Sequence, residues 1–266
     1  MQIESFELSD LPSLTALQPN DWGDIRPVYE FYYISAFCNP VKMVHEDQVI
    51  GIGSSIWHLN TAWIGHIIVH PDWWFQGVGS RITQYLVDGL KQMNYASISL
   101  VSTPMGVPMY EKLGFTKQWD YIFYEYPQKF KPPIMGDCIV SYQPSFMEQI
   151  FLLDKEVSRE ERTAIIGLHI NQSKLFLLKS KLQGVYFPTL GEGLILAKTV
   201  QAGIELAKFR LLEKHKSVVP EQNLAAIEFL DSMDMSIDRT GTRMCIGKPL
   251  HPKTEMVFNR IGGNMG

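Results

Sequence analysis

A strand-to-helix junction in residues 67–80 constrains the fold of this chain more than any other segment. The apolar residues Ile67, Ile68 and Val69 precede a His-Pro step, and a short loop then leads to Gln76, Gly77, Val78, Gly79 and Ser80. Glycines at a helix N-terminus allow backbone N–H groups to face a bound anion, and the helix dipole favours negative charge there. The junction therefore predicts a phosphate-binding turn between an apolar strand and a helix.

A second motif, Pro108-Met-Tyr-Glu-Lys-Leu-Gly-Phe115, follows this junction. Together the two motifs resemble the GNAT superfamily of acyl-CoA-dependent N-acetyltransferases. The resemblance implies that acetyl-CoA is the co-substrate, that the N–H groups of residues 76–80 bind its pyrophosphate, and that Arg81 adds positive charge. It also implies that the pantetheine arm lies along the edge of residues 67–69. Trp74 and Phe75 depart from the family's usual residues at the start of the first motif.

The similarity extends, with less specific motifs, into the second half of the chain. Residues 102–110, 154–162 and 192–197, together with Arg243 before Gly247, are similar to a GNAT subgroup that has a second, degenerate copy of the fold. The resemblance implies an N-terminal GNAT acetyltransferase domain in residues 1–130 and a degenerate GNAT-like domain in residues 134–266. The proline-rich segment 127–133 is the predicted linker. An unrelated α+β domain is the alternative for the second half.

The expected fold class is α/β, in the sense of mixed α+β: a tandem GNAT fold. Each unit is expected to be a mixed, mostly antiparallel sheet with a central parallel strand pair flanked by helices. Residues 3–8 are predicted as an opening strand, residues 20–37 as a helical region, and residues 41–45 and 49–55 as a hairpin. Residues 77–93 are predicted as an amphipathic helix with one apolar face, formed by Val78, Ile82, Tyr85, Leu86, Leu90 and Met93.

Composition excludes several classes of partner. The net charge of −4 and the pI near 6.0 argue against nucleic acid, which requires a basic surface. An apolar run of the roughly 18 residues needed to span a bilayer is lacking, so no membrane partner is expected. Three scattered cysteines suggest neither a disulfide framework nor a metal site, and they indicate a reducing cytoplasm. A monomer and a homodimer both remain open.

Acetyl transfer to an amine requires an acid for the departing thiolate and a base for the amine. Tyr110 is the candidate general acid because its ordinary pKa keeps it protonated at neutral pH. His66 is the candidate base because histidine titrates near neutral pH. Deprotonation through ordered water, or arrival of an already neutral amine, is equally compatible with the sequence. A backbone N–H on residues 67–69 is expected to polarise the thioester oxygen.

Asp154, Arg162 and Arg243 are the candidate substrate-binding residues, although each is equally able to form a structural ion pair. The leading prediction is an N-acetyltransferase acting on a primary amine of a small molecule. One alternative is a catalytically inactive sensor of coenzyme A or a metabolite. Another is a peptide or protein N-acetyltransferase, which would require an open groove.

Overall fold

The computed structural model describes residues 1–19, 22–126, 133, 136 and 138–266. The helices and strands of the first half are, in order, β1 (Gln2–Ser5), α1 (Leu14–Leu17), α2 (Arg26–Ile34), β2 (Cys38–His45), β3 (Gln48–Trp57), β4 (Thr61–Val69), α3 (Val78–Gln92), β5 (Ser97–Ser102), α4 (Val107–Lys112) and β6 (Thr116–Glu125). Most of the predicted linker, residues 127–132, lies outside the described residues, and so does the proposed boundary between the two units.

The second half follows a similar succession of helices and strands. Its elements are β7 (Ile139–Ser141), α5 (Met147–Ser158), α6 (Thr163–His169), β8 (Lys174–Leu178), β9 (Lys181–Phe187), β10 (Leu194–Ala197), α7 (Val200–Leu211), β11 (Lys216–Pro220), α8 (Leu224–Ser232), β12 (Ser236–Gly247) and β13 (Val257–Asn259). Within the described ranges, no helix combines the length and apolar character that crossing a bilayer requires.

The described strands form two sheets, and the larger one mixes strands from both halves of the chain. Its order is β1-β2-β3-β4-β5-β12-β6-β11, while the smaller sheet has the order β13-β10-β9-β8-β7. Neighbouring strands in the larger sheet are antiparallel except for β4 and β5. The fold is therefore mixed α+β, and β4 and β5 form the parallel pair predicted for the first half. The parallel pair predicted for the second half is not seen among the described strands, because the smaller sheet is antiparallel throughout and β11 pairs with β6. The insertion of β12 between β5 and β6 was not predicted.

Helices cover both faces of the larger sheet. Helices α3 and α4 cover one face through an apolar cluster that includes Ile64, Ile82, Leu86, Leu100 and Met244. Helices α1 and α2 pack on the opposite face of β3 and β4, through a cluster that contains Tyr29, Tyr32, Ile52, Ile56 and Ile68. The aromatic residues of α2 thus cover the sheet.

Several predicted boundaries and faces are corrected by the structure. The opening strand ends at Ser5, because Glu7 and Asp10 form a capping box that starts a 3-10 helix at Leu8. Within the described part of the predicted helical region 20–37, the helix comprises Arg26–Ile34. In α3, Tyr85 and Met93 are exposed, whereas Thr83 and Val87 complete the buried face. The hairpin is confirmed, and its turn at Glu46 and Asp47 has positive φ angles at both residues.

Candidate active site

The start of α3 presents backbone donors that have no protein acceptor. Gly77 precedes the helix in the left-handed conformation, with φ of 79°, and the first helical bond runs from Arg81 N to Gly77 O at 3.0 Å. In the described part of the chain, the N–H groups of Gly77, Val78, Gly79 and Ser80 have no hydrogen-bond partner. These are the unsatisfied donors that every helix N-terminus exposes, and they are able to bind an anion.

The two aromatic residues before this turn leave the helix start uncovered. The Trp74 indole donates to the Val69 carbonyl at 2.7 Å, so the ring folds back towards the end of β4. Phe75 is 93% exposed and therefore covers no neighbouring backbone. Gln76 donates from its side-chain amide to the Asp72 carbonyl at 2.8 Å, which ties the loop together. The departure from the usual family residues thus leaves the backbone donors accessible.

Arg81 points away from this turn. Its guanidinium contacts the N-terminal residue, with Nη2 lying 3.4 Å from the Met1 carbonyl oxygen and Nη1 lying 3.5 Å from the Met1 sulfur. The predicted contribution of Arg81 to cofactor binding would therefore require this side chain to change its rotamer. The main-chain donors of residues 77–80 need no such change.

Strands β4 and β5 separate beyond their first three paired residues. Their parallel ladder joins Thr61, Ala62 and Trp63 to Ser97, Ile98 and Ser99, and it extends no further. On its other edge, β4 pairs with β3 as far as Val69, so the edge of Ile67, Ile68 and Val69 that faces β5 stays open. An extended ligand such as pantetheine is able to add to a free edge of this kind.

The segment 261–266, referred to below as the tail, enters this opening. Val101 N on β5 donates to the Gly263 carbonyl at 3.3 Å. On the β4 side Asn264 packs directly on Gly65, where an added Cβ would lie 2.2 Å from the Asn264 Cβ. The tail therefore bridges the two diverging strands near the point where they separate.

His66 marks a bulge in β4, with φ of 51° and a register shift against β3. Its Nδ1 lies 2.7 Å from the Tyr32 hydroxyl, and its carbonyl accepts a hydrogen bond from the Tyr29 hydroxyl at 3.1 Å. Burial lowers the pKa of His66 to about 4, so the ring is neutral near pH 7. The role of His66 as a base stays a prediction, and this low pKa weighs against it.

Tyr110 lies on α4, which packs against α3, the helix whose N-terminus carries the N–H groups without partners in the described chain. Its ring packs in the core at 5.8 Å from the Phe115 ring. Burial raises the pKa of Tyr110 to about 12, and a hydrogen bond with the Thr83 side chain of α3 partly opposes that rise. The hydroxyl is therefore fully protonated at neutral pH, which a general acid requires, but it is a weaker acid than a solvated tyrosine.

The three predicted substrate-binding residues come together on the face of the larger sheet opposite α3 and α4. Arg162 forms a buried bidentate ion pair with Asp154. The Arg243 guanidinium stacks between two indoles, 4.5 Å from the Trp63 ring centre and 4.6 Å from that of Trp119. Arg162 and Arg243, but not Asp154, line a cavity of about 30 Å³ whose other lining residues include Trp119, Tyr121, Glu160, Arg260 and Gly266.

Sequence reasoning missed Glu160, the buried carboxylate nearest to the start of β4. Its Oε1 accepts hydrogen bonds from Thr61 Oγ1 at 2.8 Å and from Trp63 Nε1 at 2.9 Å. Burial raises the pKa of Glu160, but the positive charges of His58, Arg162 and Arg243 outweigh this effect and hold that pKa below its usual value. The carboxylate is thus ionised and is a weak base. Nothing in the local sequence indicates a contact across nearly a hundred residues.

Comparisons with known proteins identify what the chain is similar to. Residues 11–115 match the acetyltransferase (GNAT) family. A 70-residue stretch is 31% identical to an uncharacterised N-acetyltransferase of Pyropia yezoensis, covering 26% of this chain and 36% of that protein. The match thus spans about a third of that relative.

Two crystal structures show the same fold over almost the whole chain. A proposed acetyltransferase from Pyrococcus horikoshii superposes with a TM-score of 0.82 at 17% identity, covering 100% of this chain and 95% of that one. A GCN5-related N-acetyltransferase from Sphaerobacter thermophilus gives a TM-score of 0.66 at 11% identity, covering 95% of this chain and 98% of that one. The chain therefore shares its fold with these two structures, and the family match is confined to residues 11–115.

Proposed function

We propose that this chain, whose residues 11–115 match the acetyltransferase (GNAT) family, transfers an acetyl group from acetyl-CoA to a primary amine of a small molecule. The observation that carries the proposal is that unpaired backbone N–H groups and a free strand edge lie next to each other. The N–H groups at the start of α3 have no partner in the described chain, and the adjoining end of β4 has a free edge. The first suits a pyrophosphate and the second suits an extended pantetheine arm.

The reaction forms one C–N bond and breaks one C–S bond. The amine nitrogen attacks the thioester carbonyl carbon, and a backbone N–H on the open edge of β4 stabilises the negative charge that develops on the oxygen. A single donor of this type contributes roughly 3 kcal/mol. Tyr110 donates its hydroxyl proton to the departing thiolate, while the amine loses a proton through water or a neighbouring base. Because the pKa of Tyr110 is raised, proton transfer is expected to follow C–S cleavage closely rather than precede it.

The second half is proposed to be a degenerate copy of the first, with its boundary near residues 130–134. From β7 to β12 it repeats the order of strands and helices seen from β1 to β6. Its counterpart of α3 is α7, where the Thr199 side chain already accepts a hydrogen bond from Ala202 N at 3.2 Å. Its counterpart of β4 is β10, whose edge is paired with β13. In the second half, a side chain therefore caps the helix start and β13 pairs with the strand edge that a cofactor would need.

A small acceptor suits the site because residues of α5, β10 and β13 enclose the cavity that Arg243 lines. The thiols of Cys38, Cys138 and Cys245 are all free, and we place the protein in the cytoplasm on that basis.

Asp154 and Arg162 pair with each other, so their proposed role is to hold the wall of the acceptor site.

The proposal is tested by acetyl-CoA-dependent release of free thiol across a panel of amines, with Tyr110→Phe as the variant. The loss of a general acid is expected to lower kcat by about 10²–10⁴-fold while the Kd for coenzyme A changes little. Tyr124→Phe is the matched control, because Tyr124 is also buried but its hydroxyl contacts Asp231 in the second half.

Three results would contradict parts of the proposal. Equal rates for the wild type and Tyr110→Phe would exclude Tyr110 as the acid. Tight binding of coenzyme A without thiol release for any amine would favour the alternative of a catalytically inactive sensor. Thiol release with peptides but not with small amines would favour the alternative of a peptide acetyltransferase.

A further inference from the structure

Two buried donors without partners lie on the wall of the same cavity. Trp119 Nε1 and Arg260 Nη1 are both buried, and neither forms a hydrogen bond within the described chain. Trp119 and Arg260 both line the 30 Å³ cavity that Arg162 and Arg243 also border. An unpaired buried donor is destabilising, and native proteins contain few of them. Two at one cavity indicate a ligand that accepts hydrogen bonds.

The other two guanidinium nitrogens of Arg260 have hydrogen-bond partners, so only Nη1 lacks one in the described chain. Its Nε and Nη2 donate to the two carboxylate oxygens of Glu192, both at 2.9 Å. The guanidinium lies 4.6 Å from the centre of the Phe123 ring and 5.1 Å from that of Tyr121. The side chain is only 4% exposed, so solvent does not replace the missing partner of Nη1.

Arg243 adds a third source of donors to this wall. It is 5% exposed, and its only hydrogen bond among the described residues is a long one, 3.5 Å from Nη2 to Ser99 Oγ. No carboxylate of the described chain lies within ion-pair distance of Arg243, although Arg162 has two and Arg260 has one. Stacking between Trp63 and Trp119 fixes the plane of the guanidinium, which prepares it to bind a planar anion.

The charges and the size of the cavity limit which anion fits. Three guanidinium groups, those of Arg162, Arg243 and Arg260, are opposed by three carboxylates, those of Asp154, Glu160 and Glu192. This balance disfavours a dianion such as a phosphate. A volume of about 30 Å³ holds one or two water molecules, and a carboxylate group needs similar space.

We infer that the acceptor amine carries a carboxylate, and that Trp119 Nε1, Arg260 Nη1 and the Arg243 guanidinium bind this carboxylate. This inference rests on the proposed transferase function, because it names the class of acceptor. Trp63, whose ring stacks on Arg243 of the cavity wall, precedes the bulge at His66 by three residues, or about 10 Å along a strand. The acceptor therefore spans from the cavity towards the separating strands.

A series of ω-amino acids from glycine to ω-aminohexanoate tests the inference, since it varies the spacing between amine and carboxylate. Each acid is compared with its amide in the thiol-release assay, and kcat/KM is measured for both. A hydrogen bond to a charged group corresponds to about 10- to 100-fold in affinity, so the best acid is expected to exceed its amide by at least that ratio. Equal kcat/KM for acid and amide at every length overturns the inference.

The variant Trp119→Phe isolates one donor, because it keeps an aromatic ring over Arg243 and removes only the indole N–H and part of the ring. The acid-to-amide ratio is expected to fall by about 10-fold or more, through KM rather than kcat. The change in thermal stability is expected to be small, because loss of an N–H without a partner in the described chain stabilises the fold while loss of ring packing destabilises it. A lower melting temperature with an unchanged ratio would make Trp119 purely structural and contradict the inference.

Trp57→Phe is the matched control, because the Trp57 indole donates to Ser55 Oγ at 2.9 Å. It is expected to lower stability and to leave the acid-to-amide ratio as in the wild type.

Calorimetry separates this inference from the proposed function. The same acids and amides are titrated into the protein in the presence of coenzyme A, which cannot donate an acetyl group. Binding of an acid but not of its amide, without thiol release from acetyl-CoA, would retain the carboxylate site and reject the transferase. Thiol release with amines, without any preference for acids, would retain the transferase and reject the carboxylate site.

Discussion

At the scale of single residues, a chain of hydrogen bonds holds His66 in place. The Asn264 amide donates from Nδ2 to the Tyr32 hydroxyl oxygen. The same hydroxyl lies 2.7 Å from His66 Nδ1, so Tyr32 links the imidazole ring to the tail. A positive φ angle holds the residue in the bulge, so both backbone and side chain are constrained.

This burial predicts a pH dependence of stability. The pKa of His66 is about 4 in the folded chain, below the ordinary value of 6.5, so the unfolded chain binds the proton more readily. The contribution to stability is complete above pH 6.5 and declines as the pH falls towards 4. Between about pH 7 and about pH 5, the free energy of unfolding is expected to drop by up to about 2 kcal/mol from this residue.

Urea unfolding of the wild type and His66→Asn at both pH values measures this contribution. Asparagine tolerates a positive φ, and its side-chain oxygen is able to accept from Tyr32. The variant should lose most of the pH-dependent difference. His251→Gln is the control, because His251 is exposed and its replacement should leave the difference intact. The same pH dependence in His66→Asn and the wild type would be inconsistent with a buried neutral ring.

At the scale of an element, the start of α3 depends on one backbone conformation. Gly77 has a φ of 79°, and an added Cβ would meet no atom within 4 Å. The effect of Gly77→Ala is therefore confined to the backbone, where a left-handed alanine costs about 1 kcal/mol. Relief of that strain would rotate the N–H groups that follow. The Kd for coenzyme A, measured by calorimetry, is expected to rise about 10-fold, corresponding to one lost charge-assisted hydrogen bond.

Gly89→Ala is the control within the same helix, since Gly89 also has open space around its Cα. It is expected to stabilise α3 by about 0.5–1 kcal/mol and to leave the Kd unchanged. An unchanged Kd in Gly77→Ala as well would show that the glycine turn does not set the geometry of the cofactor site.

Those parts of the site that depend on local chain geometry were predictable from the sequence. A glycine before an amphipathic helix and a strand before a His-Pro step are encoded by neighbouring residues, and the structure places Gly77 and Val69 accordingly. The contacts of Glu160 and Arg260 were not predictable, because they join residues far apart in the chain. Periodicity also assigned Tyr85 to the buried face of α3, whereas that position lies at the edge of the face and is exposed.

At the scale of the whole molecule, the tail sits where substrates are proposed to meet. An added Cβ at Gly65 would approach the Asn264 Cβ to 2.2 Å and its Cα to 2.8 Å, so Gly65→Ala must displace the tail. Hydrogen exchange of the tail and of the Val101 amide, which donates to Gly263, is expected to accelerate. Crowding of this kind typically lowers the free energy of unfolding by about 1–3 kcal/mol.

Gly23→Ala is the control for this measurement, because an added Cβ there would meet no atom within 4 Å. Its exchange rates should match those of the wild type. Slow exchange at Val101 in Gly65→Ala would show that the tail is not held by its close contact with β4.

The placement of β12 between β5 and β6 has a consequence for biosynthesis. A nascent chain that has emerged from the ribosome only as far as β6 already contains every strand of its own half, yet β5 and β6 lack the neighbour that joins them. Three strand edges, one on β5 and both on β6, then lack their partners until β11 and finally β12, which ends at residue 247, have been translated. Chaperones that recognise extended segments therefore have a window of more than a hundred codons in which to act on this polypeptide, and a ribosome stalled within that window would release an aggregation-prone fragment.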